Sequence, residues 1–155
     1  KYTNEYSTDV VTIPVTNNTS KVVYNFDVLL NNTNRVISKE EENTNIHFDM
    51  LQRGPFYNPN IRVSLYKKKE LTAYDQSYTL VDLKEYVTNE LESITDDIYY
   101  ASKYPYFYTG YKNSYNVLDL ELINSKFENT GYMFVFELYD GERLISKISK
   151  KFIVK

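Results

Sequence analysis

The chain has 155 residues, a net charge of -3 at pH 7 and 42% hydrophobic residues, with no cysteine and a single histidine. This length suits one well-buried domain, and the missing cysteines exclude disulfides, cysteine nucleophiles and thiolate metal sites. The charge is mixed apart from the triplets Glu40–Glu42 and Lys67–Lys69, which read as solvated turns, so no footprint for nucleic acid is present.

Taken in order, Val11, Ile13 and Val15 alternate with Thr12, Pro14 and Thr16, and Pro14, lacking an amide donor, predicts a strand on a sheet edge. After Asn17-Asn18-Thr19-Ser20, the residues Val22, Tyr24, Phe26, Val28 and Leu30 make the longest clean alternation, which predicts a central strand with one dry face. A short strand is expected over Arg35–Lys39. Ile46, Phe48 and Met50 then alternate with His47, Asp49 and Leu51, and Ile61, Val63 and Leu65 form another strand beyond the Gly54-Pro55 loop.

The rhythm changes at Leu83, Val87, Leu91, Ile94 and Ile98, whose spacing keeps side chains on one helical face. With Asp82 and Glu85 as a capping-box-like start, this predicts a helix over Leu83–Thr95. An irregular aromatic stretch follows to Tyr115. Leu118, Leu120 and Leu122 alternate with Asp119 and Glu121 as another strand, and a closing hairpin sets Tyr132, Phe134, Phe136 and Leu138 against Leu144, Ile148, Phe152 and Val154. Asp140-Gly141 turns it, in the manner of a type I′ turn. A hairpin cannot hold itself in water, so the expected architecture is all-β: an antiparallel β-sandwich, immunoglobulin-like or C2/jelly-roll-like, spanning residues 1–155 as one domain with a helix and aromatic-loop insertion at about 67–116.

The stretch Thr130-Gly131-Tyr132-Met133-Phe134-Val135-Phe136, followed by Asp140-Gly141 and a strand ending Phe152-Ile153-Val154, resembles the last two strands of immunoglobulin-like domains of bacterial surface proteins. The resemblance covers about a sixth of the chain. It implies a cell-surface β-sandwich, and the excess length between Lys67 and Asn116 departs from it and leaves strand topology open.

The aromatic segment is the leading candidate site. Tyr99, Tyr100, Tyr104, Tyr106, Phe107, Tyr108, Tyr111 and Tyr115 crowd a short stretch with Pro105 and Gly110, and Tyr offers a flat apolar face with a hydroxyl, which suits a protein or glycan partner. The competing reading is a satellite core, half of these rings tucked beneath their own loop. Asp96 and Asp97 supply hard oxygens for calcium, the one cofactor expected to be possible, and an acidic pair at a helix C-terminus is poorly placed against the dipole. Asp140 and Glu142 offer the same chemistry, but turn geometry already accounts for Asp140-Gly141. His47 reads as a solvent-facing strand residue, since its parity opposes that of Ile46 and Phe48 and no nucleophile motif accompanies it. One histidine without cysteine also makes a zinc or copper site a poor reading.

No apolar run approaches the roughly 20 residues of a transmembrane helix, and no signal-peptide pattern opens the chain at Lys1, so a soluble, processed product or a piece of a larger multidomain protein or assembly is expected. Absent disulfides and heavy use of Lys, Asn, Tyr and Ile point to a Gram-positive source and an extracellular or cell-envelope location. The expected function is non-catalytic binding or spacing. A virion or tail assembly module is the alternative, and a hydrolase the third reading, for which no catalytic constellation can be named.

Overall fold

The computed structural model describes residues 9–10, 12–14, 21–31, 35–57, 59–69, 77–91, 99–100 and 112–155. Twelve strands run through them: β1 (Asp9–Val10), β2 (Thr12–Pro14), β3 (Lys21–Val23), β4 (Asn25–Leu30), β5 (Val36–Ile37), β6 (Asn43–Gly54), β7 (Pro59–Lys68), β8 (Tyr78–Val81), β9 (Tyr99–Tyr100), β10 (Lys112–Ile123), β11 (Gly131–Asp140) and β12 (Arg143–Val154). The larger sheet runs β1-β12-β11-β7-β8, with β9 also on β7 and β5 parallel to β12; the smaller runs β10-β6-β4, and β2 pairs β3. The fold is an antiparallel β-sandwich of immunoglobulin-like build.

The period-two alternations decide what lies between the sheets. Phe26, Val28, Ile46, Phe48, Met50, Leu120 and Leu122 of the smaller sheet are buried against Ile61, Val63, Leu65, Phe134, Phe136, Leu138 and Ile148 of the larger. Phe48 sits at the centre, its ring 5.1 Å from that of Phe134 and 4.8 Å from that of Phe136. Full burial of each such side chain stabilises by about 1.5–3 kcal/mol, so this interlock dominates the energetics. A second cluster, Tyr86, Phe127 and Tyr132, closes one end, with Phe127 4.7 Å from Tyr86 and 4.9 Å from Tyr132. Burial there pushes the Tyr86 hydroxyl up to about 12.

Four expectations are corrected. Of the helix expected over Leu83–Thr95, the described residues to Leu91 form only a single 3-10 turn, Leu83–Tyr86, capped as expected by Asp82, whose carboxylate accepts from the Lys84 amide at 3.1 Å. Its propagation is stopped by tertiary bonds: Val87 turns extended and bridges Leu122, and the Thr88 amide donates to the Glu121 carbonyl at 3.0 Å. Local periodicity loses to a strand edge that offers unpaired backbone groups.

The strand expected over Val22–Leu30 as central is divided at Tyr24, and β4 is the outer strand of its sheet. Leu144 is 41% exposed rather than inward, because the register shifts between Leu138 and Tyr139 and Ile145 becomes the extra residue, buried in its place. The turn itself is not type I′. Gly141 has φ +65° and Glu142 is not in the left-handed region, so only the first loop residue needs glycine, as in type II′. Lys150, between Ile148 and Phe152 and opposite Phe134, takes an inward position at the rim near Asp27 and Arg35. Burial first, then Arg35, hold its ammonium below the usual lysine range.

Candidate functional site

On the outward face of β6 and β10, the same alternation that buries Phe48 exposes polar chains. The register sets Asp119 directly opposite His47 and Glu121 opposite Asn45. His47 Nδ1 lies 2.6 Å from Asp119 Oδ1 and Nε2 lies 2.7 Å from Asp49 Oδ1, so the ring is bracketed by carboxylates from two strands. Ionised carboxylates only accept, so both nitrogens donate and the ring is assigned as imidazolium. The hydrogen bond to Asp119, then that to Asp49, raises its pKa above the ordinary histidine value.

The bracket forms part of an open groove of about 470 Å³ lined chiefly by Asn31, Asn45, His47, Asn89, Asp119 and Glu121. Its walls are held by amide side chains acting as strand mimics. Asn89 Oδ1 accepts from the Glu121 amide at 2.9 Å while its Nδ2 donates to the Asp119 carbonyl at 3.3 Å. At the other wall the His47 amide donates to Asn31 Oδ1 at 3.0 Å, and the Asn31 amide donates to the His47 carbonyl at 3.1 Å. The Glu121 carboxylate accepts from Thr88 Oγ1 at 2.8 Å and from Asn43 Nδ2 at 3.1 Å.

Chemically, the protonated arrangement holds a charged ring between two carboxylates on the sheet face. With both ring nitrogens donating, the protonated His47 has no free lone pair, and the described lining residues include no hydroxyl or thiol nucleophile. Among the described residues no group of three or more His, Asp or Glu side chains is disposed to hold a metal ion.

Of the sequence-predicted aromatic and acidic site residues, only part is described. Tyr99 and Tyr100 form β9 on the edge of β7, opposite Val63 and Arg62, in the other sheet. Tyr104, Tyr106, Phe107, Tyr108, Tyr111, Asp96 and Asp97 lie outside the described residues. The Asp140 carboxylate is used within the fold, accepting from the Tyr57 amide at 3.0 Å and from the Tyr24 hydroxyl at 3.4 Å. Sequence reasoning placed His47 on the solvent face but missed Asp119, Asn89 and Asn31. Parity flagged Asp49 and Asp119 as outward; nothing local announced that β10 pairs with β6 in this register.

The frame that carries this groove is a mostly antiparallel two-sheet sandwich. No protein-family model matches the chain, and no curated protein does. Among solved structures it is similar to a Niemann-Pick type C2 protein from Japanese carpenter ant, at 9% identity over 83% of this chain and 89% of that one, with a TM-score of 0.46. It is also similar to the CooA pilin subunit from enterotoxigenic Escherichia coli, at 8% identity over 83% of this chain and 98% of that one, with a TM-score of 0.31. Among the described residues no helix is long and apolar enough to cross a membrane.

Proposed function

We propose that the chain is a non-catalytic β-sandwich domain of an extracellular or cell-envelope bacterial surface protein, which binds a protein or glycan partner through the aromatic segment Tyr99–Tyr111 or spaces neighbouring domains. The observation that supports this most directly is that each end of the Tyr-rich stretch is held by a sheet, which suits it to contact. Tyr99 and Tyr100 pair with β7, and the chain re-enters the smaller sheet where Lys112 pairs with Gly54. Calcium at Asp96 and Asp97 belongs to the same proposal as an accessory ion.

A protein and glycan array probed with wild type and with the double variant Tyr106→Ala, Tyr108→Ala tests it. Binding is expected for wild type and lost in the variant at unchanged thermal stability. Equal binding by both removes the segment from the contact, and light scattering that gives several times the monomer mass favours assembly instead.

A further inference from the structure

His47 and its two carboxylates form an asymmetric cluster, and the asymmetry says what happens when its proton leaves. The Asp49 side chain is 29% exposed and belongs to the same strand as His47, two residues on and on the same face. The Asp119 side chain is 72% exposed and comes from β10. Among the described residues, the charged groups that face the ring are Asp49 from β6 and Asp119 and Glu121 from β10; the segment after the 3-10 turn contributes neutral Thr88 and Asn89, and the end of β4 contributes neutral Asn31. Glu121 is occupied by Thr88 and Asn43, so it is not positioned to replace a lost partner.

A neutral imidazole has one N–H and one lone pair. Placed between two carboxylates at 2.6 and 2.7 Å, it satisfies one of them and presents its lone pair to the oxygen of the other, which repels it. Asp49 makes further contacts and is the less exposed of the two, so Asp119 is the group released. We propose that Asp49–His47–Asp119 is a proton-operated clasp across β6 and β10: the imidazolium ties the two strands on their outer face, and loss of its proton frees the Asp119 carboxylate into the groove.

The groove thereby changes character with pH. The three carboxylates and one imidazolium give a local charge of about -2, which becomes about -3 once the ring is neutral, with a mobile carboxylate beside Asn45 and Asn89. The direction follows from linkage. A histidine whose folded pKa is raised stabilises the fold fully below the unfolded value of about 6.5, and that stabilisation is lost as pH rises through the raised folded value.

The chain has one histidine, so its ring signals are unambiguous in nitrogen-correlated NMR. In the full chain, both ring nitrogens are expected to read as protonated at pH 6, with a titration midpoint above 6.5, and the Asp119 backbone amide is expected to report the same midpoint. Asp119→Asn and Asp49→Asn are each expected to lower it. A wild-type midpoint at or below 6.5, or a midpoint unmoved in both variants, overturns the clasp. A melting series supplies the second readout: wild type is expected to melt above His47→Gln at pH 6, with the gap closing at pH values above the measured midpoint. A gap that does not change with pH assigns His47 a merely steric role and overturns the proposal. Should His47→Gln not fold, the exposed Asp119→Asn variant serves in the same series.

Discussion

The two faces of β6 are held by opposite physics. Inward, Ile46, Phe48 and Met50 are 0–3% exposed, and Phe48 packs into rings from β11; outward, His47 is tied to Asp49 and Asp119 by charge-assisted hydrogen bonds in a groove open to water. Burial works in every buffer, whereas exposed ion pairs are screened by salt and answer to pH. One strand therefore carries a structural face and a responsive face, separated by the period of two.

The comparison can be broken most violently from inside. Phe48→Ala removes the ring common to both inter-sheet contacts and is expected to cost about 3–5 kcal/mol in chemical denaturation, with the loss independent of pH between 6 and 9. A pH-dependent loss would mean that the two faces are not separable. Gly54→Ala tests how tightly the inner face is closed at the end of β6. A Cβ there would lie 2.8 Å from Cδ2 of Tyr24, whose ring packs 5.1 Å from that of Phe56, so a cost of about 1–3 kcal/mol is expected from the same measurement.

On the outer face, Asn89→Ala deletes the side chain that mimics a neighbouring strand for Asp119 and Glu121. About 1 kcal/mol is expected, together with faster hydrogen exchange at the Glu121 amide and no change at inward Phe48. The smallest effect is the pH-dependent melting gap of His47→Gln, and its sign separates a charged clasp from a filler.

Much of this was legible in the residues because strand periodicity is a local property. Phe26 and Val28; Ile46, Phe48 and Met50; Ile61, Val63 and Leu65; and Tyr132, Phe134, Phe136 and Leu138 are buried as their alternation requires. The misreadings arise where a distant partner overrules the local pattern. Val87 satisfies a helical period, yet its backbone is taken by Leu122; Leu144 keeps the period of two, yet a bulge displaces it by one residue. The candidate site was half legible for the same reason. Asp49 is readable from His47 by parity, while Asp119 lies 72 residues away and joins the bracket only through the β6–β10 register.

The placement of β12 has a consequence for how the chain folds. This strand, among the last residues of the sequence, pairs with β11 and also receives β1, at Lys147 opposite Asp9, and β5, at Ile153 opposite Val36. Neither early strand has its partner until the C-terminal hairpin has formed. Such long loops carry their closure entropy before contacts reward it, which places folding in the slow, topology-limited regime of non-local β proteins. On a ribosome, the first strands of this sandwich wait for the last.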